Sequence, residues 1–223
     1  MGNETTKTRP LWGDLEWSVL KGEGIDIGCG GDPVLPTAMP FDKGQGDCNR
    51  IRDYVHRQFD FVYSSHCLEH MEDPARAMAD WWSLVKPGGA LFLIVPDEDL
   101  YEQGYWPSRF NPDHKWTFTI AKHRSWSPVS INLLDLVRKL PDGEVIDLRL
   151  HDEGYERHLA SNGSRVGSAL YAVKRVASRL AYGVGRLLGM DKAALKRALI
   201  HPTDQTALPG RLAQIQCIVR RQG

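Results

Sequence analysis

A short apolar segment that runs directly into a glycine-rich turn restricts the fold of this chain more than any other feature. Residues 24–27 have the apolar character of a buried strand, and the turn Gly28-Cys29-Gly30-Gly31 follows at once. Glycines let backbone N–H groups come close to a ligand there, because they carry no side chain. In open α/β sheets, ligands bind at the carboxyl ends of the strands. The sequence therefore predicts such a sheet with a ligand site at this turn.

Strand-like and helix-like segments alternate along the rest of the chain. Strands are predicted at residues 24–27, 39–42, 59–63, 90–95, 144–150 and 213–219. One helix is predicted to begin at Asp73 and Pro74, which suit its N-cap and first position, and another from Ser127 to about Leu140. This alternation predicts an α/β fold, namely a Rossmann-like open, mostly parallel sheet with helices on both faces.

The length of 223 residues suits a single domain that spans residues 1–223. Two insertions near its C-terminal half interrupt the alternation. The first, residues 98–126, is aromatic-rich and leaves the expected ligand edge, so we predict a substrate loop or lid. Its aromatic faces suit a sugar or another polar ring. They are equally suited to filling the core, and both interpretations stay open.

The second insertion, residues 151–210, is predicted to be helical. Val166, Leu170, Val173, Ala177, Leu180, Val184 and Leu187 form one helical stripe at spacings of three and four. Between Arg165 and Arg197 there are eight basic residues and one acid. Such a helix can pack on the domain with a solvated basic face, contact a membrane or a lipid-linked substrate peripherally, or form a homodimer.

The charge balance restricts the partners. Lys plus Arg and Asp plus Glu both number 28, so the formal net charge is zero. Proteins that bind DNA or long RNA usually carry a basic excess, and we expect no nucleic-acid partner. No apolar run approaches the roughly 18 residues of a bilayer-spanning helix. The four cysteines form no C-x-x-C pair, so a cytoplasmic location without structural zinc or disulfides is expected.

Three segments, in this order, carry a resemblance to a known family. They are Asp26-Ile27-Gly28-Cys29-Gly30, the run 59–70 (Phe-Asp-Phe-Val-Tyr-Ser-Ser-His-Cys-Leu-Glu-His), and the run 84–89 (Leu-Val-Lys-Pro-Gly-Gly) with the strand after it. Together they resemble the class I S-adenosylmethionine-dependent methyltransferases, and within them the small-molecule group called methyltransferase type 11. The resemblance implies a Rossmann-like fold, S-adenosylmethionine as cofactor and methyl transfer as the reaction.

The resemblance also implies roles for residues of the first turn. Asp26 would accept a hydrogen bond, directly or through water, from the ammonium group of the cofactor. Gly28 and Gly30 would flank the methionine and ribose portions of the cofactor.

Four further cofactor residues follow from the same resemblance. Asp42 would accept hydrogen bonds from the ribose hydroxyls, Asp47 would lie near the adenine amino group, and the backbone at Ser64 and Ser65 would line the methionine side. The chain departs from the family here, because only eleven residues separate Gly30 from Asp42 and the helix of this region must be vestigial. The alternative for Asp47 is a plain turn residue.

His66 and His70 are the candidate catalytic residues. Both follow the predicted strand 59–63 at its carboxyl end, where a histidine can take a proton from a hydroxyl or amine acceptor near neutral pH. The alternative is structural, with Leu68 packing inward and Glu69 and His70 capping the next turn. The string H-x-x-E-H also occurs in zinc proteases, but there it needs a helix that this position does not offer. No metal site is predicted.

The sequence thus favours an enzyme that methylates oxygen or nitrogen on a small molecule, a glycan or a glycan precursor. One alternative is a regulatory or scaffold subunit that binds the cofactor without turnover. Another is a nicotinamide-dependent oxidoreductase, which Pro33 disfavours because the dinucleotide motif has its third glycine at that position.

Overall fold

A central six-stranded sheet organises the computed structural model, which describes residues 4–120, 122–157, 160, 180–181, 183–185, 187–189 and 204–223. The strands are β1 (Gly24–Ile27), β2 (Met39–Phe41), β3 (Phe59–Ser65), β4 (Val85–Pro96), β5 (Thr117–Thr119), β6 (Ser130–Asn132), β7 (Gly143–His151) and β8 (Gln214–Arg221). The large sheet has the order β2-β1-β3-β4-β8-β7. Its first four strands are mutually parallel, and β8 alone runs antiparallel to both of its neighbours. The sheet is therefore open and mostly parallel, as predicted.

Helices cover both faces of this sheet. They are α1 (Glu4–Thr8), α2 (Asp14–Val19), α3 (Pro74–Ser83) and α4 (Leu133–Val137), with short 3₁₀ helices at Arg9–Leu11, Cys48–Asp53, Leu68–His70 and Gln205–Ala207 and a short π-helix at Glu98–Glu102. Apolar residues of α3 and α4 pack on one face, and residues of α2 and its flanks pack on the other. The prediction of a Rossmann-like α/β fold is confirmed.

The helix α3 forms where its capping residues predict it. The Asp73 carboxylate accepts hydrogen bonds from the N–H groups of Ala75 and Arg76 at 3.0 and 3.1 Å, which satisfies donors that have no partner inside the helix. Met78 and Trp81 are fully buried against the sheet. This packing holds β3 and β4 in place, and β3 ends at the cavity described below.

The segment between β2 and β3 contains one short 3₁₀ helix. Residues 42–58 are all described, and they hold only the 3₁₀ helix Cys48–Asp53 in place of a third parallel strand. Ile51 of this helix is fully buried and anchors it on the core. The shortness of the segment keeps Asp42 and Asp47 close to the turn after β1.

The predicted helix at residues 127–140 begins later than expected. Residues Ser130–Asn132 form β6, which pairs in parallel with β5, and α4 starts only at Leu133. The Asn132 side chain, not Ser127, accepts the capping hydrogen bond, from the N–H of Asp135 at 3.3 Å. An asparagine is as good an N-cap as a serine, and the strand pairing decides between them.

Most of the predicted helix in residues 151–210 lies outside the described residues, including Val166, Leu170, Val173 and Ala177. In the part of the chain that the structure describes, no helix combines the length and apolar character needed to cross a bilayer.

Candidate active site

A cavity of about 1050 Å³ lies beside the carboxyl ends of β1 and β3. Residues of the turn after β1, of the segment 42–49 and of the β3 end line it. The loop 111–115, the helix α1 and residues 204–207 also contribute. Most of the residues predicted from the sequence to form the site come together in this cavity.

The turn after β1 needs glycine at its first position. Gly28 has φ +76°, and its N–H donates to the carbonyl of Phe41 at 2.7 Å, which ties the turn to β2. A Cβ at Gly28 would lie 2.5 Å from the side chain of Cys67. Gly30 also has a positive φ, of 54°. Both glycines line the cavity with backbone alone, as the sequence predicted.

Two predicted acids, Asp26 and Asp42, accept backbone hydrogen bonds in and beside this turn. Asp26 is buried, and its Oδ2 accepts a hydrogen bond from the N–H of Val34 at 2.6 Å. Burial raises the pKa of Asp26 to about 7, and the neighbouring carboxylates of Asp32 and Asp42 act in the same direction. Asp42 accepts hydrogen bonds from the N–H groups of Gly30 and Lys43, at 2.8 and 2.7 Å. A carboxylate has about four acceptor positions, so Asp42 keeps capacity for a ligand.

Asp47 lies at the cavity wall and also has the turn-forming role that was the alternative expected from the sequence. It lines the cavity, and it is the N-cap of the 3₁₀ helix Cys48–Asp53. Its Oδ1 accepts hydrogen bonds of 2.9 Å from the backbone and the side chain of Asn49, which lower the pKa of Asp47.

The two serines at the end of β3 differ. Ser65 lines the cavity, and its buried hydroxyl has no hydrogen-bond partner among the described residues. Ser64 is not among the lining residues. It is buried, and its hydroxyl donates to the carbonyl of Ile27 at 2.9 Å. Ser64 thus links β3 to β1, and the structure does not bring it to the site.

His66 is held in an unusual conformation directly after β3. Its φ is +51°, a left-handed value that is rare for residues other than glycine. Nε2 of His66 lies 3.0 Å from Oε1 of Gln214, and Nδ1 lies 3.5 Å from Oε1 of Glu69. Burial lowers the pKa of His66, but the adjacent Glu69 carboxylate outweighs burial and raises it to about 9. A histidine that is protonated at neutral pH is poorly suited to act as a base.

His70 presents a nitrogen in the cavity near the same carboxylate. Its Nδ1 lies 3.0 Å from the carbonyl oxygen of Asp113, which can only accept, so Nδ1 carries the proton. Nε2 lies 3.8 Å from Oε1 of Glu69. Of the two predicted bases, His70 has the arrangement that suits proton removal, with an acceptor nitrogen and a fixed tautomer.

The sequence did not assign a role in the site to His114 or Glu102. Nδ1 of His114 lies 2.7 Å from Oε1 of Glu102, and Nε2 lies 3.9 Å from Oε1 of Glu69. All three of these side chains are buried. Burial raises the pKa of Glu69, but the surrounding histidines, His66 foremost, hold it below its usual range. Local sequence holds no signal for this meeting, because His114 arrives from a loop more than forty residues further along.

Some aromatic residues of the loop 98–126 fill the core, and Tyr101 lines the cavity. Phe118 is fully buried in the core, and Trp116 packs against it while its Nε1–H donates to the carbonyl of Met71 at 2.9 Å. Tyr101 lines the cavity. The loop thus contributes mainly polar residues to the cavity, since Asn111, Asp113, His114 and Lys115 line it as well.

A family model for the methyltransferase domain matches residues 13–129 of this chain. The chain belongs to this family. The match covers the turn after β1, β3 and the histidines beyond it, and half of the chain as a whole. The methyl donor of the family is S-adenosylmethionine, so the predictions of enzyme class and cofactor are confirmed, and the nicotinamide alternative is set aside.

Solved structures confirm the fold of this methyltransferase. A protein from Bacillus halodurans assigned as a methyltransferase has a TM-score of 0.51 and 14% identity, over 100% of both chains. A protein from Galdieria sulphuraria assigned as a sarcosine dimethylglycine methyltransferase has the same TM-score and identity, over 98% of this chain and 84% of its own. No curated protein sequence matches the chain.

The charges of the cavity fit S-adenosylmethionine, which carries a sulfonium and an ammonium group against one carboxylate. Among the described residues, eight lining residues carry a carboxylate and three an ammonium group: Glu4, Asp26, Asp32, Asp42, Asp47, Glu69, Asp113 and Asp204 against Lys7, Lys43 and Lys115. Such an acidic site attracts a cation. The absence of side chains at Gly28 and Gly30 lets a ligand approach the backbone closely, and the unpartnered hydroxyl of Ser65 is left as a hydrogen-bonding group for the cofactor. The residues of this methyltransferase that would hold it are therefore those around the turn after β1.

Proposed function

We propose that this methyltransferase transfers a methyl group to an oxygen or nitrogen of a small polar acceptor, such as a metabolite, a glycan or a glycan precursor. The observation that carries the proposal is the composition of the cavity beyond the turn after β1. Among the described residues, the walls there carry imidazole, carboxylate and amide groups from Glu69, His70, Asn111 and His114, and Tyr101 contributes an aromatic ring. Such groups bind hydroxyls and amines by hydrogen bonds, whereas an apolar acceptor would leave them without partners.

The volume and charge of the cavity support the size and kind of acceptor. Ligand pockets usually measure about 300–1,000 Å³. A cavity of about 1050 Å³ therefore suits the cofactor together with a small acceptor. Its excess of carboxylates opposes a polyanion, which is the argument against a nucleic-acid substrate.

The reaction asks mainly for positioning. When bound, the cofactor supplies an electrophilic methyl group on a sulfonium, and the acceptor must lie in line with the bond that breaks. The residues at the end of β3 place the acceptor, and Nε2 of His70 is suited to take the proton that leaves it. The Nδ1–H of His70, bonded to the carbonyl of Asp113, fixes the ring for this purpose.

A screen with isotopically labelled S-adenosylmethionine tests the proposal. Purified protein is incubated with pools of polyols, sugars, glycan precursors and amines, and with transfer RNA and duplex DNA as comparison substrates. We expect label and a mass gain of one CH₂ unit in a small polar compound, lost in Asp42→Ala and retained in the exposed control His56→Ala. Faster labelling of RNA or DNA than of every small compound would contradict the proposal.

A further inference from the structure

Glu69 is a buried carboxylate that accepts no hydrogen bond from the described residues. Its side chain is fully buried, and neither oxygen has a hydrogen-bond partner among the described residues. Burying a charged group without partners costs a great deal of free energy, so a buried carboxylate normally pairs with a cation or binds a metal. Three imidazole nitrogens approach Oε1 of Glu69, but at 3.5 to 3.9 Å, which is too far for hydrogen bonds.

Two of these imidazoles use Nδ1 for a hydrogen bond directed away from Glu69. His70 donates its Nδ1–H to the carbonyl of Asp113 at 3.0 Å. His114 places Nδ1 at 2.7 Å from the carboxylate of Glu102, where a proton on Nδ1 completes the hydrogen bond. In a neutral imidazole the other nitrogen then carries a lone pair. When both rings are neutral, the lone pairs on Nε2 of His70 and of His114 and the Glu69 carboxylate converge with no hydrogen between them.

His66 does not remove the repulsion between the two lone pairs and the Glu69 carboxylate. It can give Glu69 one counter-charge, since its Nδ1 lies 3.5 Å from Oε1 and its Nε2 is bonded to Gln214. The lone pairs of His70 and His114 stay unmatched in either protonation state of His66. A positive ion bound between these three electron-pair donors would offset the repulsion among them.

We propose that Glu69, His70 and His114 bind a divalent transition-metal ion such as Zn²⁺. Their ligand atoms all lie within 4.8 Å of one another. Two atoms that are each about 2.1 Å from one zinc ion lie roughly 3–4 Å apart, which covers the separations of 3.8 and 3.9 Å from Oε1 of Glu69 to the two imidazoles. Imidazole ligands favour Zn²⁺, Fe²⁺, Co²⁺ or Ni²⁺ over Mg²⁺ and Ca²⁺, which prefer oxygen ligands alone.

The surroundings of the three ligands match those of known metal sites. A metal-binding histidine usually donates its other N–H to a carboxylate or a backbone carbonyl, as His114 does to Glu102 and His70 to Asp113. The loop that carries His114 is fixed in place, because the N–H of Lys115 donates to the carbonyl of Glu69 at 2.9 Å. The ligands are thus held close together without the ion.

The position of this site suggests what the ion does. Three protein ligands leave a coordination position open, as in catalytic rather than structural zinc sites. All three ligands line the part of the cavity where the acceptor is proposed to bind, so the ion would bind an acceptor hydroxyl or amine and hold it for transfer. Nε2 of His70 serves as a base only in the metal-free protein. With the ion bound this nitrogen is a ligand, and the ion would itself make the acceptor proton easier to lose. This role rests on the proposed function, whereas the site itself rests on the geometry alone.

Titration of Zn²⁺ into the untagged, metal-free protein, without cofactor or acceptor, tests the site. Calorimetry should give one strong site per chain, and His70→Ala and Glu69→Gln should each weaken it by 10- to 100-fold or more. The matched control is His56→Ala, an exposed histidine outside the cavity, with affinity unchanged. X-ray absorption of the zinc-loaded protein should show two imidazole ligands. Because the His70 side chain is partly exposed, His70→Ala is expected to fold, and its melting temperature and S-adenosylhomocysteine affinity verify this.

Two results would overturn the metal site. One is the absence of a strong zinc site in the folded wild-type protein, and the other is equal zinc affinity in wild type and His70→Ala. Either result leaves methylation of a small acceptor untouched, since the binding measurement contains no acceptor. Conversely, zinc binding at these residues without any methylated small compound would contradict the proposed function alone.

Discussion

The carboxylate of Asp42, at the end of β2, accepts a hydrogen bond of 2.8 Å from the backbone N–H of Gly30. This bond links the turn after β1 to the end of the neighbouring strand. The connection between the two residues is too short for a full helix. Asp42 therefore has two tasks, since it shapes the turn and keeps acceptor positions free for a ligand. Both tasks are lost when the carboxylate is removed.

Asp42→Ala should weaken binding of S-adenosylhomocysteine by roughly 1.5–3 kcal/mol, the range for hydrogen bonds to a charged group. Asp42→Asn should weaken it less, because the amide oxygen can still accept from Gly30. Calorimetry on both variants measures the effect. A change below a few tenths of a kcal/mol in Asp42→Ala would show that the shortened segment has displaced this acid from the cofactor.

Gly28→Ala should lower the stability by at least about 1–2 kcal/mol and abolish cofactor binding. The left-handed φ of Gly28 costs an alanine about that much, and its Cβ would meet the side chain of Cys67 at 2.5 Å. Gly31→Ala is the matched control, because a Cβ there has no atom within 4 Å. Chemical denaturation and calorimetry compare the two. Equal behaviour of the two variants would remove the strained turn from the site.

The sequence predicted well those parts of the fold that depend on local patterns. The capping residues Asp73 and Pro74 gave the start of α3, and the apolar runs gave strands at β1, β3 and β4. The start of α4 was wrong, because Ser127 and Asn132 both make acceptable N-caps and only the pairing of β6 with β5 selects the later one.

The candidate site divides in the same way. The turn after β1 and the acids Asp42 and Asp47 follow from motif order, and the structure gathers them in one cavity. The group around Glu69 does not follow from it, because His114, with Glu102 bonded to it, reaches Glu69 only through the path of the loop after β4. Long-range contacts of this kind depend on tertiary packing, and no spacing in the sequence specifies them.

Asp26 should make the stability of the protein fall as pH rises from about 5 to 8. Burial raises its pKa in the folded state to about 7, above the unfolded value. At pH 5, Asp26 is protonated in the folded state but largely ionised in the unfolded state. The free energy of unfolding therefore falls as the pH rises through the folded-state pKa of about 7. The loss should be about 2–3 kcal/mol. Urea denaturation of wild type and Asp26→Asn at both pH values measures it, and an identical pH dependence in the two proteins would contradict the shift.

His70→Ala should reduce turnover by a factor of about 10² to 10⁴, the usual contribution of a general base, while cofactor affinity stays nearly unchanged. The reason lies in the arrangement of the ring, whose Nδ1 proton is held by the carbonyl of Asp113 while Nε2 faces the cavity. Part of the loss should disappear at high pH, where the acceptor ionises unaided. His66→Ala should behave differently, because His66 is half-buried, bonded to Gln214 and charged at neutral pH. Removal of His66 should lower the melting temperature, and turnover should not recover at high pH.

The measurement is a pH–rate profile of both variants with the acceptor found by labelling, beside their melting temperatures and affinities for S-adenosylhomocysteine. Near-normal turnover of His70→Ala at neutral pH would exclude His70 from the chemistry, and a pH-dependent recovery in His66→Ala would transfer the role to that residue.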